Sequence, residues 1–186
     1  MPDDLEKRGR ALEEAFFNKQ NDELVAKLRA EEAAKRKKSD LAASTGIQDP
    51  LVLQELLDVG VEPGTLAALS LAPLVLMAWR KGKIETHERG AILRAAEQRG
   101  LKPGTTVYQL VEKWLEQRPS PELRPAWAAY VKSLRTRLPK EAYAALRDDI
   151  VKRTREVARA AGGILGVATV SKEEKQLLAE IEAALG

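Results

Sequence analysis

The chain has 186 residues with no cysteine, one histidine and a formal net charge of +3. Zero Cys excludes disulfides, thiolate zinc sites, iron–sulfur clusters and cysteine nucleophiles, and a single His excludes any multi-histidine metal site. A chain of this length buries roughly 70% of its unfolded surface, so it folds without a metal or disulfide staple. Lys and Arg number 31 against 28 Asp and Glu, a balance too even to announce a nucleic-acid binder.

Charged residues make up 32% of the chain and aromatics 4%, and the apolar content is largely Ala and Leu. Ala, Leu, Glu, Lys and Arg lose little conformational freedom in helices, so the expected fold is all-α. The first residues, MPDDLEKRGR, carry no apolar stretch of the kind a signal peptide needs. Together with the absence of Cys, this sets the expected location as the cytoplasm.

Residues 1–40 differ from the rest. They hold 10 basic and 10 acidic residues. Acidic residues precede basic ones by four at Asp3/Lys7, Asp4/Arg8, Glu6/Arg10, Glu23/Lys27, Glu31/Lys35 and Glu32/Arg36. Each such pair adds about 0.2–0.5 kcal/mol to a helix, which predicts one long, mostly exposed helix. Its apolar residues Leu5, Leu12, Phe17, Leu24 and Leu28 recur at spacings that make a broken heptad seam. Both Phe residues of the chain, Phe16 and Phe17, stand here side by side. They either dock onto the rest of the protein or, with Leu24 and Leu28, form a contact for a partner or a second copy. The run Lys35–Lys38 is placed in the last turn, where cations complement the helix dipole.

Residues 41–186 read as one helical bundle. Asp49-Pro50 caps a short helix that ends at Gly60. Glu62-Pro63-Gly64-Thr65 starts an apolar helix to about Arg80, with a kink expected at Pro73 because it lacks an N–H. Its most apolar window, Leu66–Trp79, is short of the roughly 20 residues of a spanning helix and reads as buried core. Further helices are expected from about Thr86 to Gly100, from Thr105 or Thr106 to about Gln117, and from Ser120-Pro121 to about Leu138. Another follows from Pro139 to Gly162-Gly163, and a last one is capped by Ser171 with Glu174 reaching back. Ile164–Val170 is the only stretch with a strand-like look. Gly162-Gly163-x-x-Gly166 lacks the Lys-Ser/Thr of a phosphate loop and reads as a helix end. Trp79, Trp114 and Trp127 fall on apolar helix faces and are expected in the core.

Two helix starts echo each other. Ile84-Glu85-Thr86-His87-Glu88 and Val170-Ser171-Lys172-Glu173-Glu174 share an apolar residue, a cap and a Glu three after the cap. The segment MAWRKGKIETHERGAILRAAEQRGL, Met77–Leu101, resembles the first signature of TerB-like domains, named for tellurite resistance. Ile164–Leu185 resembles the closing helix of that family. The resemblance covers about residues 60–186. It implies an all-α bundle acting in stress-response or membrane-associated protein complexes, with divalent cation binding proposed for some members. The chain departs from the family at Lys81, flanked by Arg80 and Lys83, where an acidic residue is usual. A hard cation needs several oxygen ligands, so no metal and no cofactor is expected here. His87, in the polar first turn of its helix, reads as a solvated residue.

The strongest charge asymmetry is residues 132–159, with nine basic residues against four acidic. Lys152, Arg155 and Arg159 share one helix face, a candidate anion or nucleic-acid surface. No catalytic constellation is visible. The expected function is therefore a non-enzymatic interaction module whose first helix binds a protein partner or another copy, with the basic face as the alternative.

Overall fold

The computed structural model describes residues 3–160 and 171–186, with side chains from Phe16 to Arg159 and from Ser171 onward. Ile164–Val170, Gly162-Gly163-x-x-Gly166 and the side chains of Leu5 and Leu12 lie outside the described residues. Every regular element among the described residues is helical. The chain divides into two compact units, Met1–Ser39 and Asp40–Gly186.

Helix α1 is unbroken over Asp3–Thr45. It thus runs past the expected end near residue 40, and the Lys35–Lys38 run is not in its last turn. The reason lies at its actual terminus, inside the second unit. Leu41 and Thr45 are fully buried there. The Ser133 hydroxyl donates to the Thr45 carbonyl at 2.5 Å and the Arg137 guanidinium to the Ser44 carbonyl at 2.9 Å. A cation does cap this helix end, but it comes from 93 residues away. Gly46, with φ at +76°, then reverses the chain.

Helix α2 (Pro50–Asp58) starts as expected, with the Asp49 carboxylate accepting from Leu51 N and Pro at the first helical position. Gly60 ends it at φ +84°, and a Cβ there would stand 2.9 Å from Leu110 Cδ1. The apolar segment that follows is not one kinked helix. Pro63–Leu71 winds as 3₁₀ turns, and α3 (Ala72–Ala78) begins afresh with Pro73 in its first turn. A proline there removes an N–H that has no intrahelical partner anyway, so Pro73 starts a helix instead of bending one.

Helices α4 (Thr86–Gln98), α5 (Thr106–Glu116), α6 (Leu123–Arg137), α7 (Lys140–Ala160) and α8 (Lys172–Leu185) complete the body. Ser120 does not cap α6. Its carbonyl accepts from Leu123 N in a turn that carries Pro121, and the helix starts two residues later than expected.

Helix α3 is the hub. Six of its seven residues are buried, and it packs on α4, α6, α7 and α8. The 3₁₀ segment lies against α5, and α2 against α6. Over the 19 residues Pro63–Lys81 the mean hydropathy reaches 1.2, enough by length and composition to cross a membrane, yet half of that window is buried inside the body. Leu69, Leu71, Leu74, Val75 and Met77 are core residues here. Two of the three tryptophans also tie elements together. Trp79 Nε1 donates to the Trp114 carbonyl at 2.7 Å, and Trp114 Nε1 donates to the Val59 carbonyl at 3.0 Å.

Candidate functional site

The residues singled out on the first helix lie within a dozen positions of α1. Phe16 is 57% exposed, Phe17 65%, Leu24 55% and Leu28 51%. Large apolar side chains in contact with packed neighbours are usually far more covered, so this is an apolar stripe open to solvent. The two Phe rings meet edge to face, 6.0 Å apart at 71°. Phe17, Gln20, Asn21, Glu23, Leu24 and Lys27 frame a shallow surface depression. Only Leu51, on α2, is another exposed large hydrophobic residue among the described side chains.

The basic residues of α7 also come together. Lys152, Arg155 and Arg159 line one groove of 540 Å³ with Arg147 and Val151, but Asp148, Glu156 and Glu182 line it too. Arg155 is bound to Glu182 at 2.6 Å and Arg147 to Asp148 at 2.9 Å. The groove is therefore of mixed charge, with Lys152 and Arg159 its exposed cations outside any ion pair among the described residues.

The two echoing helix starts are both capping boxes. The Glu88 carboxylate accepts from Glu85 N at 2.7 Å, and the Glu174 carboxylate accepts from Ser171 N at 2.7 Å. Each carboxylate is 2% exposed. Lys81 reaches Glu174 at 3.6 Å. Burial pushes the Glu88 carboxyl above its ordinary value, with the bond from Glu85 N, and then the charges of His87 and Lys81, acting against that rise. His87 Nδ1 lies 3.5 Å from Glu85, on a side chain 45% exposed. Each buried carboxylate thus satisfies its own helix start, and the Lys81 ammonium lies beside the second of them. No group of three or more metal-ligating side chains occurs among the described residues.

One polar cluster went unseen in the sequence. Asp149 accepts from Arg99 at 2.5 Å and from Arg153 at 2.7 Å, Arg153 also binds Gln98, and Arg99 binds the Ser70 carbonyl. Burial alone would raise the Asp149 carboxyl, but the two guanidinium bonds outweigh it and hold the group below its ordinary value. The Asp149/Arg153 spacing of four is legible in the sequence; the 50-residue link from Arg99 is not. The cluster joins α4 to α7 and has every charge engaged, which is how a structural clamp is built. Trp127 Nε1, by contrast, is buried without a hydrogen-bond partner among the described residues.

No family model, curated protein or solved structure matches this chain.

Proposed function

We propose that this protein is a non-enzymatic interaction module. The helical body anchors α1, and the outer part of α1 makes the contact, with a protein partner or with another copy. The observation that carries this is the exposed stripe of Phe16, Phe17, Leu24 and Leu28, on a helix otherwise half made of charged residues. An exposed apolar stripe with a polar surround is what a docking face requires. The TerB-like kinship of residues 60–186, a stress-response role and a cytoplasmic setting belong to the same proposal.

The test is a full-length variant with Phe16, Phe17, Leu24 and Leu28 all replaced by Gln, which keeps helix propensity. Light scattering and lysate capture should both differ from wild type while the body keeps its thermal stability. Unchanged oligomeric state and unchanged capture would sink the reading.

A second reading uses the α7 groove as an anion site. Its support is that Lys152 and Arg159 stand exposed, and outside any ion pair among the described residues, beside Arg147 and Arg155. Phosphate contacts there would make nucleic-acid binding fall steeply with added salt. A flat salt response, or no binding at low salt, removes it.

A further inference from the structure

The α1 stripe has a more specific geometry than an apolar patch, and we infer that its occupant is a second copy of this chain, paired parallel and in register as a short two-stranded coiled coil. This deepens the interaction-arm reading and rests on it. Phe17, Asn21, Leu24 and Leu28 follow one another at spacings of four, three and four. On a continuous helix these are positions d, a, d and a of a heptad, one narrow seam. Phe16 falls at c, to the side of it.

Asn21 chooses the orientation. In a parallel, in-register pair each a residue faces its own copy, so the two Asn21 amides meet and can satisfy each other. In an antiparallel pair centred on the same seam, Asn21 faces Leu24 of the other copy and its amide is buried against a hydrocarbon. A single Asn at an a position is known to fix register and two-strandedness in this way.

The flanking charges agree. With this register Lys27 is at g and Glu32 at the following e, the two positions that meet across a parallel dimer. Both are exposed, and neither has an ion pair among the described residues. Parallel pairing joins them twice, once on each side of the seam. Antiparallel pairing sets Lys27 opposite Gln20 and leaves Glu32 out. The seam is bounded by Glu31 at d and Lys35 at a, so it offers two d and two a layers. Association is accordingly reversible and rises with concentration.

The absence of cysteine allows a clean test on the full chain. In a parallel dimer, two copies of Leu24 face each other within disulfide reach, a Cα separation of about 4.4–6.8 Å. Leu24→Cys in a glutathione redox buffer should give a covalent dimer roughly tenfold or more faster than Ala26→Cys on the outer face, because facing thiols have a raised effective concentration. Phe17→Ala should abolish the dimer seen by light scattering, and Phe16→Ala should leave it intact. If Leu24→Cys is no faster than Ala26→Cys, while a mixture of Asn21→Cys and Leu24→Cys chains cross-links readily, the parallel register is wrong. If the wild-type chain is monomeric across the micromolar range, the second copy is not the occupant. The broader reading then stands or falls on whether the four-Gln variant loses a captured heterologous protein.

Discussion

Residues 16–28 of α1 and helix α3 both concentrate large apolar side chains on a helical backbone, and they meet opposite fates. Six of the seven α3 residues are buried, whereas Phe16, Phe17, Leu24 and Leu28 are each more than half exposed. Apolar content does not explain the difference. No charged residue occurs between Gly64 and Trp79, so α3 has no side that prefers water. Within residues 16–28 the charged residues Lys19, Asp22, Glu23 and Lys27 share the helix with the apolar stripe, so this helix has sides that prefer water. The first pattern is suited to being surrounded, the second to meeting one partner along one line.

The largest effect should come from removing the same atoms in the two regions. Leu74→Ala, at a fully buried position, is expected to cost about 2–5 kcal/mol of unfolding free energy. Leu28→Ala should stay within about 0.5 kcal/mol, as exposed substitutions do. All three tryptophans lie in Asp40–Gly186, so urea titration followed by Trp fluorescence reads the body alone. A Leu28→Ala cost near that of Leu74→Ala would mean that the arm residue is packed, and the contrast would fail.

The contrast also shows what the sequence makes legible. Local signals did well: the Asp49-Pro50 start, the Ser171–Glu174 box and the helix composition all act over three or four residues. Failures occurred where a distant group decides. The end of α1 depends on Ser133 and Arg137, and its cation was sought locally in Lys35–Lys38. Pro73 signals a lost N–H but does not say whether the chain bends or starts a new helix. The Arg99–Asp149 bond joins positions whose meeting is a property of the bundle. For the candidate site, Phe16, Phe17, Leu24 and Leu28 stand out in the sequence as large apolar residues in a charged segment, and their exposure is a property only the fold supplies. Asn21, which the proposed pairing places at an a position, carries no signal of its own, because a polar residue inside an apolar repeat looks like an interruption.

Within the body, the tryptophans give the next contrast. Trp114→Phe and Trp127→Phe remove similar volume, but only the first leaves a buried acceptor, the Val59 carbonyl, without its donor. Trp127 Nε1 has no partner among the described residues to lose. Trp114→Phe should therefore cost about 1–3 kcal/mol more than Trp127→Phe in urea unfolding. Equal costs would show that the Trp114 bond contributes nothing net.

Acid should separate two carboxylates by sign. Asp149 is held low by Arg99 and Arg153, so its stabilisation is present above its unfolded value and is lost as pH falls through the folded one. Glu88 is raised by burial, so its contribution is present below its unfolded value and is lost as pH rises through the folded one. Asp149→Asn should lower stability at neutral pH and flatten the loss on acidification. Glu88→Gln keeps an acceptor for Glu85 N and removes the buried charge, so it should match or exceed wild type at neutral pH. Denaturant midpoints measured from neutral to acid pH check both, and the same direction of change in the two variants would refute the assignment.

The smallest effect is expected at the α7 groove, where it also bears on function. Lys152 and Arg159 are exposed, so the double change to Ala should move stability by less than about 0.5 kcal/mol. It should also leave the α1 dimer untouched, since neither residue lies on the seam. In an association assay the wild type and this variant should superimpose, while Phe17→Ala falls away. A double variant that keeps its dimer but loses a salt-sensitive affinity for duplex nucleic acid would move the functional surface from the arm to α7.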